Sequence, residues 1–201
     1  MEAKRLIAIT TEDDYPDEPE RIALMLAGGI DLMHIRKPAW DEAHMRSLIA
    51  SIDERWHNRL VLHSHFRLTE EFGLHGVHLN SRALRAPEGY KGPISCSCHS
   101  IQELQERSPQ MDYCTLSPIF NSISKSGYIS HFTDTELTYA QHCGIINSKT
   151  MALGGINAKN ISILWSWGFG GACMLGYLWE AKSREILKCR LRTLRQKAKQ
   201  L

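Results

Sequence analysis

Residues 112–128 read DYCTLSPIFNSISKSGY, an apolar run that breaks into serines around one lysine. Ser122 and Ser124 stand at alternate positions, Lys125 follows directly, and Gly127 loosens the backbone. Two hydroxyls and an ammonium on one short loop are donors for an anion, and a charged donor strengthens such bonds. ALGGI (152–156) and GACMLG (171–176) offer a second means of holding an anion. Gly154, Gly155 and Gly176 let backbone N–H groups come close, and a helix start after each adds positive potential. The third resource is imidazole. His34, His63 and His99 each end or nearly end an apolar run, and an imidazole of near-neutral pKa both accepts and donates protons.

Something must bring these groups together. Strand-length apolar runs lie at 5–10, 30–37, 59–64, 76–80, 93–99, 112–120, 150–156 and 171–179, most bounded by Gly, Pro, Asn or Ser. Helix-like segments lie between them. Ile22, Met25 and Leu26 precede a glycine stop, and Asp41 is placed to cap a helix carrying Met45, Leu48, Ile49 and Ile52. Two more read HSIQELQERS and NAKNISILWSWG, the latter with Asn157 as its expected cap. Eight alternating units predict a single-domain compact (β/α)8 TIM barrel over residues 1–201, short for a fold that usually takes about 250 residues. No G-x-G-x-x-G follows the first run, which argues against the doubly wound alternative. In a barrel the strand ends form one mouth, where His34/Arg36, His63/Ser64, His78/Asn80, Ser97/His99 and Ser117–Lys125 would meet.

Composition narrows the function. A net charge of +2 with no long basic run argues against nucleic acid, and the basic segment KCRLRTLRQKAKQ reads as the solvated face of a terminal helix. No run approaches the roughly 18 apolar residues of a membrane span, and no charged-then-apolar leader is seen. Six cysteines lack C-x-x-C spacing and four of them lie in apolar, strand-like runs, which predicts buried thiols in a reducing, cytoplasmic setting rather than a disulfide framework. Cys96, Cys98 and Cys114 show no basic neighbour in sequence and read as inert core thiols. His44 and His57 read as solvated helix residues, and His78 as a packing residue in its strand.

The ordered set H-I-R (34–36), G-V-H-L (76–79), S-x-H-S (97–100), D-Y-x-x-x-x-P-I-F-x-S-x-S-K (112–125), A-L-G-G-I and G-A-C-M resembles the thiamine phosphate synthase/TenI family from Ile7 to about Leu178. The resemblance implies the same barrel and, for synthases, a Mg²⁺-dependent joining of an aminopyrimidine pyrophosphate to a thiazole phosphate with loss of pyrophosphate. For TenI proteins it implies a metal-free tautomerisation of a thiazole carboxylate phosphate. On this resemblance Arg36 is the arginine that faces pyrophosphate, and Ser97 is the family serine of the fifth strand. Ser122, Ser124 and Lys125 match the T-x-T-K loop, and Gly155 and Gly176 fall in the phosphate turns.

The departures decide between the activities. Synthases carry N-D where this chain has His63-Ser64, and an aspartate where it has Ala83, so both Mg²⁺-binding carboxylates are gone. The lysine expected two residues past Arg36 is Pro38, with Lys37 on the opposite face of a continuing strand. The TenI histidine is Pro118, leaving His34, His63 and His99 as the candidate proton carriers, with Arg36 and Lys125 beside them. The expectation is therefore a TenI-like enzyme that needs no cofactor. The alternatives are a synthase using Mg²⁺ and a non-catalytic binder of a phosphate ligand. A histidine-bound metal hydrolase is disfavoured, and no metal ligands are assigned. The partner is a small-molecule phosphate, with neither nucleic acid nor membrane, and the resemblance is compatible with a homodimer.

Overall fold

The structure, a computed structural model, describes residues 4–121 and 132–199. Eight parallel strands close in sequence order into a barrel: β1 (Arg5–Ile9), β2 (Leu32–Ile35), β3 (Leu60–Leu62), β4 (Gly76–Leu79), β5 (Ile94–Cys98), β6 (Tyr113–Leu116), β7 (Thr150–Leu153) and β8 (Gly171–Met174). Each lies inside one of the predicted runs. The runs are almost wholly apolar because a barrel strand is buried on both faces.

Helices α1 (Glu18–Ala27), α2 (Glu42–Ser51), α3 (Arg67–Glu71), α4 (Ile101–Arg107), α5 (Asp134–His142), α6 (Ile163–Ser166), α7 (Gly176–Trp179) and α8 (Arg184–Lys199) complete the fold. Asp41 caps α2 by accepting from the His44 N–H at 2.8 Å. Asn157 does not cap α6, which starts only at Ile163. Instead its side chain accepts from the Lys159 N–H and its carbonyl from the Ile161 N–H, closing a separate turn after β7. On α8, Leu187, Leu191, Leu194 and Ala198 are buried, while Lys188, Arg192 and Lys199 face solvent.

Alternation along the strands divides the core in two. Leu6, Ala8, Met33, Ile35, Cys96, Cys98, Cys114 and Leu116 join the layer packed under the helices. Ile7, Ile9, Leu32, Val61, Tyr113, Met151 and Cys173 fill the barrel itself. The apolar filling is fed chiefly by β7, β8 and β1. The β2–β6 sector instead carries buried His34, His63, His78, Ser95 and Thr115. Burying polar groups costs free energy unless they are hydrogen-bonded, so this sector is unlike a barrel filled with branched aliphatics.

Candidate active site

The strand ends and the loops after them enclose a cavity of about 530 Å³. Its rim and walls include Arg36, Asn80, Arg82, Ser97, His99, Ser117, Gly154, Gly155, Gly176 and Tyr177, and its floor His63, His78 and Thr115. Arg36 is held by Thr10, whose hydroxyl accepts from the Arg36 N–H at 2.8 Å and donates to its carbonyl at 3.3 Å. Its guanidinium pairs with Glu12 at 2.6 Å.

Gly154 and Gly155 have φ of 105° and 64°, a region that L side chains rarely adopt. A Cβ at Gly155 would stand 2.4 Å from the Asn121 carbonyl oxygen, and one at Gly154 2.9 Å from Pro118. These glycines therefore bring the β7 loop hard against the β6 loop. Asn157 and Asn160 fix the turn by donating to the Gly155 carbonyl at 3.3 and 3.0 Å. The trans peptide then aims the following N–H, that of Ile156 in the cavity wall, the opposite way.

The three expected imidazoles occupy different depths. His99 is exposed at the rim, its Nδ1 donating to the Ser117 carbonyl at 3.2 Å. His63 lies at the floor. His34 does not reach the mouth: it is fully buried, with Nδ1 2.9 Å from His63 Nε2 and Nε2 2.6 Å from Tyr113 Oη. Its ring points into the barrel on β2, below the level where that strand ends. His78 is more than a packing residue. It stacks on His63 with ring centroids 4.4 Å apart, and its Nδ1 and Nε2 meet Ser95 at 2.8 Å and Ser97 at 2.9 Å. Burial holds His34 and His63 well below the usual imidazole range and His78 down to about 4. All three rings are thus neutral near pH 7.

Other expectations need correction. His57 is buried, not solvated: Nε2 lies 3.0 Å from the Ile52 carbonyl and Nδ1 3.2 Å from that of Phe72. Strand β2 stops at Ile35, so alternation does not govern Lys37. Its ammonium is buried, 2.8 Å from Glu18 and 2.6 Å from the Asp13 carbonyl. Cys96 is fully buried, its Sγ 3.5 Å from that of Cys114 and 3.9 Å from that of Cys98. Ser122, Ser124 and Lys125 lie outside the described residues.

The lining contains no carboxylate among the described residues. Where synthases carry their two aspartates the cavity has Ser64, whose buried hydroxyl has no hydrogen-bond partner among the described residues, and Ala83. A hard divalent cation needs charged oxygen ligands, so these residues do not fit Mg²⁺. Sequence reasoning missed Tyr113, Ser95 and Thr115 as members of the interior. Their inward parity within each strand was readable, but the register that sets Ser95 beside His78 and brings Tyr113 to His34 was not.

The thiamine monophosphate synthase (TMP-TENI) family model matches residues 6–178. A thiamine phosphate pyrophosphorylase from Bacteroides thetaiotaomicron is 38% identical, with a TM-score of 0.88 over 96% of this chain and 97% of that one. A thiamine phosphate pyrophosphorylase from Pyrococcus furiosus, 18% identical with a TM-score of 0.75 over 96% and 95%, shows the shared fold alone. No curated protein matched the chain. With a matching barrel in a 38% identical relative and a family match across most of its length, the chain belongs to the thiamine monophosphate synthase/TenI family.

Proposed function

We propose that this protein is a TenI-type enzyme, moving a proton on a thiazole carboxylate phosphate without a metal ion. One observation carries the reading: the cavity floor is built of neutral imidazoles and hydroxyls where a Mg²⁺-dependent synthase needs carboxylates. The substrate phosphate would rest against Gly155 and Gly176, with Ser122, Ser124 and Lys125 as further donors and Arg36 meeting the remaining negative charge, whereas the Ser97 hydroxyl is taken up by His78 Nε2 at 2.9 Å. The ring would then lie over His63, with His99 at the rim. Pro118 removes the histidine that TenI proteins place there. His99 stands beside the gap, and its Nδ1–H bond to the Ser117 carbonyl leaves Nε2 as an acceptor.

Tautomerisation leaves the substrate's formula unchanged. One proton leaves one atom, one arrives at another, and the electron pair relocates within the ring system. An imidazole is suited to both halves. The test is conversion of the thiazole carboxylate phosphate in the presence of a chelator. Turnover that survives chelation and falls about a hundredfold or more in His63→Asn supports the reading. Turnover abolished by chelation and restored by Mg²⁺ would contradict it.

The second reading is a synthase. The 38% identical relative is described as a thiamine phosphate pyrophosphorylase, and Arg36 occupies the position that faces pyrophosphate in synthases. This reading requires the metal to find oxygen ligands other than the missing pair.

A further inference from the structure

Three cationic side chains line the cavity, Arg36, Lys37 and Arg82, and two of them are already paired. Glu12 meets Arg36 at 2.6 Å, and Glu18 meets Lys37 at 2.8 Å. No ion pair engages Arg82 among the described residues, and no carboxylate in the described lining takes it up. Its side chain is exposed, but its backbone is held firmly. Residues 80–83 form a tight turn after β4, in which Asn80 and Ala83 each donate an N–H to the other's carbonyl at 3.0 Å. The Asn80 side chain accepts from the Arg82 N–H at 3.0 Å and donates to the His63 carbonyl at 2.9 Å. The turn is therefore fastened to the end of β3, at the residue proposed to lie under the substrate ring. Arg85, three residues on, is exposed as well but has no place in the lining.

We infer that Arg82 binds the carboxylate of the substrate, and that the β4 turn is the subsite that tells a thiazole carboxylate phosphate from a thiazole phosphate without that group. The inference rests on the proton-moving reading above and extends it to the choice of substrate. In a closed barrel of eight strands in sequence order, the end of β4 lies across the mouth from the end of β8. The glycine turns after β7 and β8 offer one anion a set of backbone N–H groups, and Arg82 offers a second anion a guanidinium on the far wall. A ligand held at both walls needs two anionic groups on a body that fills about 530 Å³. A ring bearing a phosphate on one side and a carboxylate on the other is such a ligand. The guanidinium suits the carboxylate because its parallel N–H donors match the two oxygens. Arg36 is less suited: Glu12 already pairs with it, and β2 stands only two strands from β8. The turn also carries Ala83 where synthases carry a Mg²⁺-binding aspartate, so the wall that holds a cation in synthases here presents one.

Calorimetry with two ligands separates this role from a general pull on anions. One is the thiazole carboxylate phosphate that tautomerisation would produce, and the other is the thiazole phosphate that lacks the carboxylate. Arg82→Gln should weaken binding of the first about tenfold, as for one lost charge-assisted contact, and leave the second within about twofold. Arg82→Lys should recover only part of the loss, because an ammonium cannot make the paired contact. Arg85→Gln should change neither affinity. An equal loss for both ligands would overturn the inference, as would no loss for either. So would a dependence on Arg82 seen only with inorganic pyrophosphate, which would give the guanidinium to the synthase reading instead. If the preference for the carboxylate depends on Arg82 but no thiazole carboxylate phosphate turns over, the subsite stands and the tautomerase reading falls. If turnover survives chelation and the preference ignores Arg82, the tautomerase reading stands and the subsite falls.

Discussion

Arg36 carries a positive charge held at the mouth by Thr10 behind it and Glu12 beside it. Charge-assisted hydrogen bonds contribute about 1.5–3 kcal/mol each. Arg36→Ala should therefore weaken binding of thiazole phosphate about 10- to 100-fold in calorimetry, and unchanged affinity would remove Arg36 from the anion site. Gly155 acts through the backbone. Alanine there combines a φ of 64° with a Cβ 2.4 Å from the Asn121 carbonyl, so Gly155→Ala should cost at least about 1–3 kcal/mol in urea unfolding. Ligand affinity should fall with it, because the same turn shapes the mouth. These two roles were legible to different degrees. The glycine pair announced a close backbone approach, but the partner it approaches, the β6 loop, could come only from the fold.

Among the elements, the join between β2 and α1 depends on one buried ion pair. Lys37 and Glu18 have side chains 0% and 4% exposed, and Lys37 also lies over the Trp40 ring. Burial raises the Glu18 carboxyl above its usual range even though Lys37 pulls it the other way, and Glu18 Oε1 has no hydrogen-bond partner among the described residues. Removing one member strands the other, which costs about 3–5 kcal/mol for a buried pair. Lys37→Met should lose about that much in urea unfolding, and Lys37→Met with Glu18→Leu should recover most of it. A loss below about 1 kcal/mol would mean that the pair is not buried as described. Every strand was legible because continuous apolar runs bounded by turn residues have few other solutions. The pair was not legible: Lys37 was assigned by strand alternation, and β2 had already ended.

On the scale of the whole molecule, three neutral imidazoles in the barrel make folding depend on pH. Their folded pKa values lie below that of an unfolded histidine, about 6.5. The unfolded chain therefore binds protons first as pH falls, and stability drops from about pH 6.5 downward until the folded rings titrate, near 4 for His78. That ring alone represents on the order of 3 kcal/mol. His78→Gln should flatten this acid limb in urea unfolding at stepped pH, whereas an unchanged slope would mean that the ring is not buried neutral. Barrel closure explains what the chain alone did not disclose. Histidines 29 and 44 residues from His34 become its neighbours only once β2, β3 and β4 lie side by side. The measurement that bears most directly on this site is thiamine phosphate formation from the aminopyrimidine pyrophosphate and thiazole phosphate, run across a Mg²⁺ titration and again with a chelator. The expected result is no Mg²⁺-dependent product from a protein that still isomerises the thiazole carboxylate phosphate under chelation. Product that rises with Mg²⁺ to an ordinary enzymatic turnover, on the order of 1 s⁻¹ or more, would contradict the proposed metal-independent activity.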